Sequence, residues 1–161
     1  MSIAPNSCGI IRADHTGFTV ESLKDSVDFW TRGLDFTHLY TNDYECSDFL
    51  DNVVGVKGAS VTLAMVEAPG GQLIELLEYH SPEDRQSMQP RSCDVGSVHM
   101  AFTVTDVDDL LERIEGADGW HRLGITQTVA EGERQGLKIA YARGPDGVTL
   151  EFLQWPTPVK S

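Results

Sequence analysis

Two stretches of the chain set a histidine in the same surroundings, and two more do so for a glutamate. Ala13-Asp14-His15-Thr16-Gly17-Phe18-Thr19-Val20 and Ser97-Val98-His99-Met100-Ala101-Phe102-Thr103-Val104 both read His, two residues, then Phe-Thr-Val. Gly71, three residues, Glu75 and Leu-Leu return as Gly147, three residues, Glu151 and Phe-Leu. The histidines recur at an offset of 84 (99 − 15) and the glutamates at 76 (151 − 75), a difference that one loop deletion explains. Imidazole nitrogens and carboxylate oxygens gathered at one cavity would bind a divalent cation of the Zn, Fe(II), Co, Ni or Mn type. A lone His or Glu on a strand is more often solvated than a ligand. Four of them at repeat-equivalent positions reverse that preference.

The elements that must position these groups repeat as well. Ile11–Val20 reads as a strand, and Ser22 is placed to cap a helix with Leu23, Val27, Trp30 and Leu34 on one face and Gly33 near its end. Strands follow at 36–40, 59–66 and 72–79, with Pro69-Gly70-Gly71 as a turn and a polar loop at 42–58 holding one apolar patch and room for one turn of helix. Residues 80–95 have two prolines, mixed charge and no periodicity, and read as a linker. The order then returns: a strand at 96–104, an Asp106-capped helix through Val107, Leu110, Leu111 and Ile114, and strands at 125–129, 137–143 and 148–155, the last two joined by the Gly144–Gly147 turn. The chain is therefore two β-α-β-β-β modules, 11–79 and 96–155, sharing one structural domain. Residues 1–10 and 156–161 read as a loose lead-in and a proline-bearing tail.

Strand alternation puts Ser97, His99, Ala101 and Thr103 on one face and Val98, Met100, Phe102 and Val104 on the other. Val148, Leu150 and Phe152 likewise oppose Thr149 and Glu151. Small and hydroxylic neighbours around the histidines predict a cavity on one face, with bulky apolar residues beneath the helices on the other. A net charge of −13 argues against nucleic acid and anionic membrane surfaces as partners. Three cysteines with no CxxC spacing fit a reducing compartment, and no stretch resembles a signal peptide or a membrane span, so the expected location is the cytoplasm.

The whole of 11–155 resembles the vicinal oxygen chelate superfamily, which includes glyoxalase I, methylmalonyl-CoA epimerase, extradiol dioxygenases and fosfomycin- and bleomycin-resistance proteins. The resemblance rests on the two histidine motifs, Ile74-Glu75-Leu76-Leu77-Glu78, and Gly144-Pro145-Asp146-Gly147-Val148-Thr149-Leu150-Glu151. It implies an α+β fold in which paired βαβββ modules curl a mixed sheet into a cup-shaped half-barrel with helices outside. It also implies a divalent metal held by His15, Glu75, His99 and Glu151, and a homodimer acting on a small-molecule substrate. The epimerase- and glyoxalase-like branch is the best match, with each chain owning a complete cup. It implies proton transfer next to a metal-bound carbonyl of a 2-oxo, hemithioacetal or thioester compound, with Glu75 or Glu151 as the base. Extradiol chemistry on Fe(II) is the weaker alternative, because no His stands in the stretch before Tyr141; a non-catalytic binding or resistance protein is the other. Thr103, Tyr141 and Arg143 are the substrate-side candidates. Glu45, Asp48 and Asp51 are further acids of the 42–58 loop, more simply read as solvated, and His38, His80 and His121 have no repeat partner.

Overall fold

Strand pairing follows the repeat. In the computed structural model, which describes residues 9–117 and 119–156, all strands of one sheet come from the first module and all strands of the other from the second. The first module runs β1 (His15–Thr19), α1 (Leu23–Asp28), β2 (Thr37–Tyr44), α2 (Asp48–Val54), β3 (Ser60–Glu67) and β4 (Leu73–Ser81). The second runs β5 (Met100–Thr103), α3 (Val107–Ile114), β6 (His121–Arg122), β7 (Gln127–Thr128), β8 (Lys138–Arg143) and β9 (Thr149–Gln154). The sheet orders are β1-β4-β3-β2 and β5-β9-β8-β6, with β7 also on β8. In each, the first strand lies parallel to the last and the others are antiparallel. The α+β architecture of tandem βαβββ units is thus realised as two mixed sheets. Most of the lead-in and tail anticipated at 1–10 and 156–161 lies outside the described residues.

Each helix is set by its cap and its apolar stripe. The Ser22 hydroxyl accepts from Asp25 N–H, and the Asp106 carboxylate accepts from Asp108 and Asp109 N–H. Past Asp28, α1 widens into a π-helical turn over Phe29–Gly33, which the heptad-like spacing did not foretell. Leu23 and Trp30 from this segment, and Val107, Leu110, Leu111 and Ile114 from α3, enter one apolar core together with Ile74, Leu76, Leu150 and Phe152 of the two sheets. The modules therefore share a single interior. Aromatic rings stitch it across the module boundary: Phe29 stacks on Trp120 at 4.0 Å, and Trp30 meets Phe102 edge to face.

Two regions depart from the sequence expectation. Residues 48–54 of the expected loop form α2, capped by Ser47 and closed by Gly55 in the left-handed region at φ 71°. The strand expected at 125–129 is present but shortened to β7, and β6, which was not expected, pairs with the opposite end of β8. No helix among the described residues is long and apolar enough to cross a membrane.

Candidate functional site

Register brings each histidine beside its own module's glutamate. β1 pairs with β4 so that Gly17 lies opposite Glu75, and His15 Nε2 stands 3.5 Å from Glu75 Oε2. β5 pairs with β9 so that Ala101 lies opposite Glu151, and His99 Nε2 stands 3.2 Å from Glu151 Oε2. Gly17 and Ala101 are the small residues that leave room for the carboxylates. A Cβ on Gly17 would already touch Glu75 Oε2 at 3.6 Å. The residues on the other face of β1 and β5, such as Phe18 and Phe102, pack against the core. Both pairs consequently sit on the outward faces of the sheets, with the histidine side chains about a third to a half exposed.

The ring nitrogens can be assigned from their partners. Asp14 Oδ1 lies 3.0 Å from His15 Nδ1, and a carboxylate can only accept, so Nδ1 carries the hydrogen. Nε2 then faces Glu75 Oε2 at 3.5 Å, and a cation held between the two would be bound by both. The donor set fits a divalent metal in kind. His15, with Arg12 behind it, holds the Asp14 carboxyl below the usual range.

The second pair is built differently. Tyr141, opposite Glu151 in the β8–β9 register, places its hydroxyl 3.4 Å from His99 Nε2, with the two rings 5.1 Å apart. Burial and the Glu151 charge push the Tyr141 phenol up, so it remains a hydroxyl donor at neutral pH. Its register counterpart in the first module is Met65, opposite Glu75.

One expectation is corrected here. The four donors do not form a single cup within one chain: among the described residues no three His, Cys, Asp or Glu side chains are close enough together to hold a metal ion. The physical reason is the shared core. The modules meet through their helices and apolar sheet faces, which leaves the two His–Glu faces as separate outer surfaces. The lining also differs from the small-residue cavity anticipated, because Met65, Leu77 and Tyr79 accompany Glu75 on its face. α2 covers the far end of that face, with Leu50 packed among Val61, Leu77 and Tyr79.

The remaining candidates fall as follows. Thr103 is exposed at the edge of a cavity of about 600 Å³ between the modules, which Ala101, the residue opposite Glu151, also lines. Arg143 is buried, and its Nε and Nη2 donate to Thr149 Oγ1 at 3.2 and 3.1 Å. Asp51 closes the chain behind α2 by accepting from Gly58 and Ala59 N–H, while Asp48 is exposed on the same helix. His38 and His80 bond to Thr41 and Thr62. Asp14 was missed, since its counterpart by repeat is Val98. So was a matched pair of helix anchors, Glu78 Oε2 accepting from Leu23 N–H at 2.7 Å and Gln154 Oε1 from Val107 N–H at 3.0 Å. Each stands three residues after a candidate glutamate, a signal the repeat did contain.

This fold and these paired strands are those of one superfamily. The sequence profile of the Glyoxalase/Bleomycin resistance protein/Dioxygenase superfamily matches residues 12–152, and the chain belongs to it. It is 29% identical over 150 residues to a 2-epi-5-epi-valiolone epimerase from Actinomyces sp, across 92% of this chain and 81% of that protein. A glyoxalase family protein from Bacillus cereus superposes with a TM-score of 0.78 at 23% identity, covering 97% of this chain and all of that one. A fosfomycin resistance protein from Listeria monocytogenes, solved with Mn(II) and sulfate, matches with a TM-score of 0.58 at 16% identity over 92% and 95% of the two chains. These structural likenesses concern the fold.

Proposed function

We propose that the protein is a metal-dependent epimerase or isomerase that moves a proton at the carbon beside a carbonyl of a small 2-oxo compound. The observation that carries this reading is the pair of His–Glu couples at repeat-equivalent positions, each closed to within 3.5 Å on an outward sheet face. The epimerase relative supports the reaction class, and the ketone in its name favours a ketone substrate over a hemithioacetal or a thioester. Because one chain supplies two donors at each place, the site is completed by a second copy: His15 and Glu75 of one chain meet His99 and Glu151 of the other. Edge strands support this. β1 and β5 each end a sheet, and the segments leading into them expose Ile10, Ile11 and Val95 almost fully and most of Val98.

A divalent ion held there would supply Lewis acidity, stabilising the enolate that forms when the carbon loses its proton. The chain's own groups do the rest. One glutamate, ionised at the start, takes the proton, and the glutamate of the opposite sheet, which starts protonated, gives its own proton to the other face of the carbon, so the centre inverts and the pair still holds one proton. Tyr141 donates its hydroxyl to a substrate oxygen beside His99.

The test is metal analysis of the purified protein together with His99→Ala. We expect stoichiometric binding of Co(II) or Mn(II) to a dimer, lost in the variant, and solvent-deuterium incorporation next to the carbonyl of a cyclic hydroxyketone. Unchanged metal stoichiometry in His99→Ala would sink the site. Binding of metal with oxygen uptake on catechols would mark a dioxygenase, and ligand binding with no metal would mark a sequestering protein.

A further inference from the structure

We propose that Arg12 and Asp14 are positioning residues for His15, making the first half of the site the firm anchor for a metal ion and leaving the second half, which lacks them, the adaptable one. The inference rests on the reading of His15 as a ligand. Arg12 Nη2 donates to Asp14 Oδ2 at 3.3 Å, and Asp14 Oδ1 accepts from His15 Nδ1 at 3.0 Å. The three side chains form a line that ends at His15 Nε2 and Glu75. The line fixes three things at once: the tautomer, the tilt of the ring and the direction of the Nε2 lone pair. A carboxylate on the far nitrogen of a ligating imidazole also raises the basicity of the near one.

Local geometry makes this possible. Asp14 precedes β1, so the alternation that would send it to the opposite face from His15 does not yet apply. At the repeat-equivalent positions stand Gly96 and Val98, which have nothing to offer an imidazole nitrogen. Among the described residues no carboxylate stands on His99 Nδ1, and the contacts of that ring converge on Nε2, from Glu151 and Tyr141. Duplication thus kept the ligand pair and dropped or gained its support on one side only. The consequence is a division of labour, with one half holding the ion and the other, carrying Tyr141, free to rearrange when substrate arrives.

The experiment reads the tautomer of His15 in the metal-free protein by long-range ¹H–¹⁵N NMR, and Co(II) affinity by absorbance titration at fixed pH. The wild type is expected to show the Nδ1–H form. Asp14→Ala should lose it and weaken Co(II) about tenfold, the low end of the 10- to 100-fold typical of such supporting groups, since Asp14 is exposed. Asp14→Asn, whose amide oxygen can still accept, should restore the tautomer and most of the affinity. Arg12→Ala should cost less than Asp14→Ala, and Val98→Ala should change neither readout. An unaltered tautomer in Asp14→Ala, or a Co(II) affinity equal to wild type, overturns the assignment. If the wild type binds no Co(II), the proposed function fails, and the NMR arm alone decides the positioning role.

Discussion

The two modules share a plan and differ in what surrounds it. Both lay an edge strand parallel to the last strand, set a histidine at the start of the first (His15) or just before it (His99) and a glutamate on the second, and anchor the following helix with a side chain three residues past that glutamate. In the first module the sheet is four continuous strands with α2 built over one end of the Glu75 face. In the second, β6 and β7 are two-residue fragments, the described residues include no counterpart of α2, and Tyr141 fills the place Met65 holds in the first. Two cavities repeat the pattern. Each lies between the start of one module's helix and the last turn of the other's sheet, and only the smaller, near Asp146, has a carboxylate on its turn. What duplication preserved is the geometry that presents donors. What it let diverge are the groups around them, Asp14 beside His15 and Tyr141 beside His99.

The core gives the sharpest way to break this comparison. Trp30 and Ile114 hold equivalent helix positions, but Trp30 touches Phe18 and Phe36 in its own module and Phe102 in the other. Trp30 is 2% exposed and Ile114 1%. Trp30→Ala should cost about 3–5 kcal/mol in urea unfolding, a large share of a stability near 5–15 kcal/mol, against about 1 kcal/mol for Ile114→Val. It should also loosen both modules together, since the core is shared. A Trp30→Ala cost no greater than that of Ile114→Val would mean the modules do not depend on this aromatic junction.

The pairing of each histidine with its module's glutamate was legible because a repeat singles out residues that local pattern alone leaves ambiguous. His15, Glu75, His99 and Glu151 each look ordinary; their common offsets do not. Trp30 as core and Asp106 as a cap followed from helical spacing and cap chemistry. The arrangement of the modules did not follow. Alternation tells which residues of a strand share a face, but says nothing of which face meets the other module, so a cup closed within one chain was expected where, among the described residues, no three His, Cys, Asp or Glu side chains gather to hold an ion. Only one turn of α2 was anticipated, because its seven residues are too few for a persistent period inside a polar stretch. Asp14 was hidden for the opposite reason: comparison of repeats emphasises what the copies share, and Asp14 is what one copy has alone.

Smaller effects test the same contrast at the helix starts and the turns. Glu78 meets the Leu23 N–H with a full charge at a helix N-terminus, whereas Gln154 meets Val107 with a neutral amide. Glu78→Ala should cost about 2 kcal/mol and Gln154→Ala about 1 kcal/mol, with Glu78→Gln falling between wild type and Glu78→Ala. Equal costs would mean the charge adds nothing. The smallest effect is expected at Asp146. Burial pushes its carboxyl up, the nearby Glu21 charge adds to this, and the bond from Glu21 N–H opposes it. A raised carboxyl favours the folded state fully below its unfolded value near 3.9, and that advantage is lost as pH climbs through the folded value. Asp146→Asn keeps an acceptor for Glu21 N–H and removes the charge. It should therefore stabilise the protein at pH 7 by about half a kcal/mol or less, discounted because the group is half in solvent, and the gain should vanish by about pH 3. Gly70 holds the equivalent place in the other turn, so Gly70→Asp should reproduce the penalty there only if that cavity is equally dry. Melting curves of the two variants at pH 3 and pH 7 would then show whether the cavities differ in environment or only in sequence.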